Sequence, residues 1–313
     1  MLGSAGAGAV GLDAEVDVAL IPALPSGPSD DEGAALLEEL LAAGAAEMHF
    51  QPIVHLASGE TVGFEALLRG PAGGPVGSPL PLLAAARDAG KLAELDALCR
   101  ASALDAAARS GLPDTLTWFL NMEPEAAVRF EPPTEPTAGL RVVVEVVERE
   151  LGAHLPGVLG AVHRARTAGW SVAIDDIGAQ RDPLVIAALT CADVLKLDMS
   201  LVQQPVGTRE TYLLAAIRAY AERSGSVVLA EGVETKQQQS WAKLVGATYA
   251  QGHLYGSPGP LPRHVAAPSE PLPTGRSAVG QDVARGSMWT FGPTPVRPVP
   301  VVLPVGSPAA SGR

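Results

Sequence analysis

The amino-acid sequence predicts an α/β protein, a closed (βα)8 barrel whose first strand runs antiparallel to the second. Between Met48 and about Pro260, segments with strand patterning alternate with segments of helical periodicity, which favours a mostly parallel sheet. Eight candidate strands fall within roughly 210 residues, a typical length for a closed barrel. The short turn ASGE joins the first two strands, so this pair is expected to form an antiparallel hairpin.

Strand patterning identifies each strand by its apolar and β-branched residues. In chain order the candidate strands are MHFQPIVHL, TVGFEALLR, LTWFLNM, LRVVVEVVE, WSVAIDD, DVLKLDM, SVVLAEGV and YAQGHLYG. Helical periodicity begins at DDEGAALLEELLAAG, where Asp31 can cap the first turn. The further candidate helices are PLPLLAAARDAGKLAELDALCRASALDAAARSG, LPGVLGAVHRARTAG, PLVIAALT, ETYLLAAIRAYAERSG and KQQQSWAKLVG.

Composition divides the chain into three parts. Residues 1–33 are rich in Gly, Ala, Ser and Pro with little periodicity, and are expected to be a disordered N-terminal segment. Residues 34–263 carry the barrel pattern. Residues 264–313 are dense in proline, which excludes regular helix and central strand, so this part is predicted to be a flexible tail rich in Pro and Gly.

Charge and hydropathy exclude several classes of function. The net charge of −12 argues against binding of a nucleic-acid duplex, which needs a basic face. No apolar run approaches the roughly 20 residues of a membrane-spanning helix, and the N-terminus lacks the basic start of a secretion signal, so a cytoplasmic location is expected. Cys99 and Cys191 lie far apart in apolar contexts and are predicted to be core residues.

Polar residues recur at the carboxyl ends of the candidate strands, which share one face of such a barrel. They are Glu65, Asn121, Glu145, Asp175, Asp176, Lys196, Glu231 and Gln251. A single buried acid is more often a salt-bridged structural residue, but five converging acids need cations, and Lys196 supplies only one positive charge. Carboxylate and amide oxygens without cysteine favour Mg²⁺ or Mn²⁺. The adjacent aspartates suit two metal ions, an arrangement that serves in-line phosphoryl displacement.

Eight motifs appear in a fixed order: QPIV, EALLR, LN, VEVVE, DDIG, LKLD, EGVET and QGHLYG. In this combination, from FQPIVHLASGETVGFEALLRG to AQGHLYGSPGPLP, the chain resembles the EAL-domain cyclic di-GMP phosphodiesterases. The resemblance implies a modified TIM barrel with an antiparallel first strand. It also implies hydrolysis of cyclic di-GMP to linear pGpG with two Mg²⁺ or Mn²⁺ ions per active site, and it allows a homodimer.

The resemblance also implies roles for individual residues. One metal ion is expected to bind Glu65, Asn121, Glu145 and Asp175, and the second Asp175 and Asp176, with Glu231 binding the metals and their water. Lys196 matches the lysine that orients the attacking water, and Gln251 matches a glutamine near it, so the expected catalytic residues are Glu65, Lys196, Glu231 and Gln251. Arg69 matches an arginine that meets a substrate phosphate, a role suited to guanidinium geometry. The other expected substrate contacts are Gln51, Asp198 and Glu234.

One loop departs from the family pattern. After the paired aspartates the family usually carries Phe-Gly-Thr-Gly-Tyr-Ser-Ser, whereas this chain has IGAQRDP, which lacks the hydroxyl and places Gln180 where glycine is usual. Glu148 matches the glutamate that anchors this loop, but its usual partner is missing, and Arg181 is a candidate replacement. The change is expected to affect rate and regulation more than metal binding. A catalytically inactive receptor for cyclic di-GMP therefore stands as the alternative to an active phosphodiesterase.

Overall fold

A computed structural model describes residues 30–69, 79–133, 139–147, 151–178, 192–204 and 207–274. Eight strands close a barrel in chain order. They are β1 Met48–His55, β2 Thr61–Leu68, β3 Thr117–Met122, β4 Arg141–Val147, β5 Ser171–Ile177, β6 Val194–Leu197, β7 Val227–Ala230 and β8 Tyr249–Gln251. The helices within the described ranges are α1 Asp30–Ala43, α2 Leu80–Asp88, α3 Leu92–Arg109, α4 Leu151–Thr167, α5 Met199–Gln203, α6 Thr208–Ser224 and α7 Lys236–Leu244.

The strand directions confirm the predicted barrel with its antiparallel first strand. β1 pairs antiparallel with both β2 and β8, whereas every other neighbouring pair is parallel. The predicted helical stretch from 79 to 111 divides into α2 and α3, because the chain turns at Gly90. The predicted helix PLVIAALT and residues 1–29 of the predicted disordered N-terminal segment lie outside the described residues, whereas residues 30–33 of that segment form the start of α1. Among the helices that are described, none is both long and apolar enough to cross a membrane.

Apolar side chains fill the barrel interior below the carboxyl ends of the parallel strands. One inward-pointing residue from each of the eight strands, together with Leu272 beyond β8, forms a buried cluster. Its members are Ile53, Val62, Phe119, Val143, Ala173, Val194, Leu229, Tyr249 and Leu272. A larger cluster lies between the outer face of the strands and the helices, and a third joins α1, α2 and α3. We call this inner cluster the apolar floor, because it lies directly below the polar residues at the carboxyl ends of the parallel strands.

The segment 264–274, which composition assigns to the tail, contacts the barrel. Leu272 is fully buried in the interior cluster, and its carbonyl accepts a hydrogen bond of 2.6 Å from Arg141 Nη2. Ser269 Oγ donates to Glu60 Oε2 at 2.6 Å. Since Arg141 begins β4 and Glu60 precedes β2, this segment closes the end of the barrel opposite the carboxyl ends of the parallel strands. The remainder of the predicted tail, 275–313, lies outside the described residues.

Replacement of Leu272 by alanine is expected to lower the free energy of unfolding by about 2–5 kcal/mol, because the change leaves a cavity in a packed interior. Urea denaturation of Leu272→Ala against wild type measures the difference. Leu244→Ala is the matched control, since that leucine is 70% exposed and its truncation is expected to change stability by less than about 0.5 kcal/mol. Equal midpoints for the two variants would show that residues 264–274 add nothing to the barrel core.

Candidate metal centre

The polar site arises from the two-residue period of the strands. In six strands, the residue two positions after a member of the interior apolar cluster is polar, and side chains two apart share a face. These polar residues are Asn121, Glu145, Asp175, Lys196, Glu231 and Gln251. All lie at or just beyond the carboxyl ends of parallel strands, directly above the apolar floor. Glu65 joins them from β2.

Lys196 occupies the centre of this polar layer and is completely buried. Its Nζ atom lies 2.6 Å from Glu145 Oε1, 2.7 Å from Glu231 Oε1 and 3.0 Å from Asp175 Oδ1. A fourth carboxylate oxygen, Glu65 Oε2, is 3.4 Å away. One ammonium group therefore faces four carboxylates, so the described cluster carries excess negative charge wherever the acids are ionised.

Amide side chains hold the Glu65 carboxylate from two sides. Gln251 Nε2 donates to Glu65 Oε2 at 2.6 Å, and Asn121 Nδ2 donates to Glu65 Oε1 at 3.2 Å. Gln251 Nε2 also contacts Gln51 Oε1 at 2.9 Å, and Gln51 Nε2 donates to the Gly256 carbonyl at 3.1 Å. Gln51, predicted as a substrate contact, thus lies in the network that orients Gln251 and Glu65.

A β-bulge brings the two adjacent aspartates to the same site. Ile174 pairs with Leu195 and Ile177 pairs with Leu197, so β5 has one more residue than β6 between these pairs. Within the bulge, Asp176 has φ of 59°, the one positive value among the described non-glycine residues. Its N–H donates to Asp175 Oδ1 at 3.0 Å. In a regular strand these neighbours would point to opposite faces, whereas here carboxylate oxygens of both lie near Glu231.

The acids of the cluster differ in the direction in which their pKa values are shifted. Burial and the neighbouring acids raise the pKa of Glu145 and of Glu231 well above the usual value, despite the contact each makes with Lys196. Burial acts in the same direction on Glu65, but Lys196 and the hydrogen bonds from Gln251 and Asn121 outweigh it and lower the pKa. Burial disfavours the charged form of Lys196, yet the surrounding carboxylates raise its pKa well above the usual value, so the lysine is positive.

Two groups of carboxylates have the spacing of metal ligands. Glu65, Glu145 and Asp175 offer oxygens within 4.8 Å of one another, and so do Asp175, Asp176 and Glu231. Glu145 Oε2 and Gln251 Oε1 are buried atoms that accept no hydrogen bond within the described part of the chain. Buried acceptors without a donor carry a desolvation cost that a cation or a bound water removes. The donor set therefore fits hard divalent cations, with Asp175 shared between the two groups.

Within the described ranges, three predicted substrate contacts make no hydrogen bond or ion pair with this cluster. Arg69 follows β2, Asp198 follows β6 and Glu234 lies beyond β7, all at the same end of the barrel. Asp198 caps α5 by accepting from Ser200 N at 2.9 Å, and Glu234 lies 3.7 Å from His253 at the surface. The predicted loop anchor Glu148, residues 179–183 of the altered loop and Cys191 lie outside the described residues.

A buried ion pair beside the site was not predicted from the sequence. Asp96 and Arg100 of α3 pair with each other, and Asp96 Oδ1 accepts from Glu123 N at 3.1 Å, two residues after Asn121. Arg100 lies 4.8 Å over the Phe130 ring. Both residues line a cleft of about 400 Å³ that reaches Glu65 and Asn121. The sequence signal is an acid and a base four residues apart on an otherwise apolar helix face.

Comparison with known proteins places this geometry in a family. The sequence model of one protein family, described as the EAL domain, matches residues 34–258 of this chain. The cyclic di-GMP phosphodiesterase NbdA of Pseudomonas aeruginosa is 30% identical over 228 residues, which cover 69% of this chain and 29% of NbdA. The probable cyclic di-GMP phosphodiesterase PdeB of Escherichia coli K12 is 28% identical over 66% of this chain and 42% of PdeB.

A solved structure gives the same fold. Klebsiella pneumoniae BlrP1, in its manganese and cyclic di-GMP complex at pH 6, superposes with a TM-score of 0.58 and 29% identity, covering 68% of this chain and 56% of BlrP1. The chain spans less than half the length of the two curated relatives named above. The match of the family model nevertheless covers most of the chain, including every described member of the polar layer. The chain belongs to the EAL domain family.

Proposed function

We propose that this chain is a metal-dependent phosphodiesterase that hydrolyses one ester bond of cyclic di-GMP and releases linear pGpG. The observation that carries the proposal is the pair of carboxylate groups that share Asp175 around the buried Lys196. Relatives named as cyclic di-GMP phosphodiesterases and the cyclic di-GMP complex of BlrP1 support the choice of substrate.

Charge balance supports two divalent ions. The five carboxylates of the two groups carry five negative charges when ionised, and Lys196 returns one. Two divalent cations would therefore bring the cluster to neutrality and remove the repulsion that raises the pKa of Glu145 and Glu231. Oxygen ligands without thiolate favour Mg²⁺ or Mn²⁺, and BlrP1 has been solved with manganese.

Each of the two carboxylate groups would bind one metal ion. Glu65, Glu145 and Asp175, with the Asn121 amide oxygen at the solvent edge, would hold one ion. Asp175, Asp176 and Glu231 would hold the other. When bound, such ions polarise a phosphoryl oxygen and lower the pKa of a coordinated water.

The other residues would act on water and substrate. Lys196 Nζ would orient the attacking water. Gln251 Oε1, a buried acceptor without a described donor, would accept a hydrogen bond from that water. The water oxygen would bond to phosphorus while the bond from phosphorus to a ribose 3′ oxygen breaks. One proton of the water would pass to the departing 3′ oxygen, and the other would stay on the new phosphate oxygen or leave to solvent. Arg69 would bind a substrate phosphate, while Asp198 and Glu234 would contact the ligand from the rim.

The family resemblance supports two further parts of the proposal, the homodimer and the role of Glu148. A homodimer, a cytoplasmic location and a role for Glu148 in anchoring the altered loop are part of the proposed function. The alternative, a receptor that binds cyclic di-GMP without cleaving it, predicts the same ligand but no product, so turnover separates the two.

Turnover is tested by incubating the purified chain with cyclic di-GMP and Mn²⁺ or Mg²⁺ and resolving pGpG by chromatography. We expect Glu65→Ala to lower kcat by about 100-fold or more, because a metal ligand and the acceptor for two amides are lost together. Glu39→Ala, an exposed acid on α1, is the matched control and is expected to retain wild-type turnover. Tight binding of cyclic di-GMP by wild type without pGpG formation would establish the receptor instead.

The two ligand groups predict different stoichiometries for single variants. In calorimetric titrations with Mn²⁺, wild type is expected to bind two ions. Glu145→Gln and Asp176→Asn are each expected to weaken one site, whereas Asp175→Asn is expected to weaken both because Asp175 belongs to both groups. Glu39→Gln should behave as wild type. A variant series in which Asp175→Asn weakens only one site would contradict the sharing of this residue.

The raised pKa values predict that stabilisation by metal grows with pH. In metal-free protein, Glu145 and Glu231 favour their protonated forms, so their contribution to stability is present below the ordinary carboxyl pKa and is lost as pH rises through the folded values. Bound cations require the ionised forms, so affinity increases with pH. We therefore expect the rise in Tm caused by Mn²⁺ to be larger at pH 7.5 than at pH 5.5. A rise that is constant across this range would contradict the assignment.

A further inference from the structure

We propose that Gln203 is a positioning residue that holds the backbone beside Glu231 and thereby sets the geometry of the group formed by Asp175, Asp176 and Glu231. The inference rests on the proposed function, because it assigns that group to the second metal ion. Gln203 touches none of the three carboxylates in the described contacts, so its effect would pass through the peptide chain.

The short helix α5 contacts the ends of two strands that carry acids. It begins directly after β6, the strand of Lys196, and Trp241 Nε1 of α7 donates to the Leu201 carbonyl at 2.9 Å. A Cβ on Gly178, which follows the bulge of β5, would lie 2.5 Å from Leu201 Cδ1. On the other side, a Cβ on Gly232 would lie 2.5 Å from Met199 Cβ. The helix thus packs against bare backbone next to both Asp176 and Glu231.

The contact at Gly232 is a hydrogen bond as well as a close approach. Gln203 Nε2 donates to the Gly232 carbonyl at 2.6 Å, and Gly232 has φ of 62°. Only glycine fits this approach without strain, but glycine also populates other backbone conformations with little cost. The conformation after Glu231 is therefore fixed by its contacts and not by the residue itself.

Three hydrogen bonds determine where the Glu231 backbone lies. Glu231 N donates to the Leu197 carbonyl at 3.1 Å, and Val233 N donates to the Gln251 carbonyl at 3.0 Å. The peptide group between Gly232 and Val233 is thus held at its N–H by β8 and at its carbonyl by Gln203. Loss of the Gln203 donor would free one end of this group and allow it to rotate. Glu231, which is only 2.7 Å from Lys196 Nζ through its carboxylate, would then lose its fixed orientation.

The test compares Gln203→Leu and Gln203→Glu, which remove the donor at similar side-chain length, with Gln204→Leu. Gln204 is the next residue, is exposed, and makes no described contact, so it is the matched control. In metal-free protein, hydrogen exchange at the Glu231 and Val233 amides is expected to be about tenfold faster in both Gln203 variants than in wild type and the control. In Mn²⁺ titrations, one of the two affinities is expected to fall about tenfold while the other is unchanged.

Each other outcome overturns a definite part of the inference. Exchange rates and both affinities equal to those of wild type would show that Gln203 does not position Glu231. An equal fall in both affinities with a lower Tm would indicate a general structural role and would equally overturn it. If wild type binds no Mn²⁺, the proposed function fails. The exchange rates in metal-free protein then still show whether Gln203 holds the backbone beside Glu231.

Discussion

The burial of Lys196 among four carboxylates is the interaction on which the upper half of the barrel depends. Removing an ammonium or a carboxylate from water costs several kcal/mol per ion, and only close opposite charges and hydrogen bonds offset this cost. Lys196 contacts four of the five acids in the two carboxylate groups, all except Asp176. The lysine therefore keeps the acids close together, but one positive charge does not neutralise four ionised carboxylates, and the remaining negative charge would favour a bound cation.

The second constraint is the pleat of the strands. A regular strand can offer only alternate residues to the barrel interior, so six strands and β2 supply one acid, amide or lysine each at this level. The bulge in β5 escapes this limit by placing Asp176 in the left-handed region, which an aspartate adopts more easily than most residues. Strain of this kind, of order 1–3 kcal/mol, persists where the surrounding ladder fixes it, here through Ile174 and Ile177.

Strand-level features could be predicted because they are local. Glu145, Asp175 and Lys196 lie at the carboxyl ends of predicted strands, which predicted that they share one end of the barrel, and the short ASGE turn predicted the antiparallel hairpin. Contacts between distant segments could not be predicted in this way. Leu272 stands among prolines that suggest a tail, yet it fills the barrel floor, because composition does not report which cavity a side chain meets. The bulge at Asp176 depends on pairing with β6, which the pattern of β5 alone does not contain.

The two carboxylate groups differ in how firmly the fold holds them. Glu65, Glu145 and Asp175 belong to strand residues paired in the sheet, so their backbones are fixed by ladder hydrogen bonds. Asp176 lies in a bulge, and Glu231 lies one residue beyond the end of β7, where single contacts replace the ladder. Ligands on fixed strands bind with little loss of conformational entropy, whereas irregular backbone must be ordered by its neighbours. The geometry of the second group is therefore the more open to adjustment by surrounding residues, and α5, which packs beside both Asp176 and Glu231, is the element best placed to adjust it.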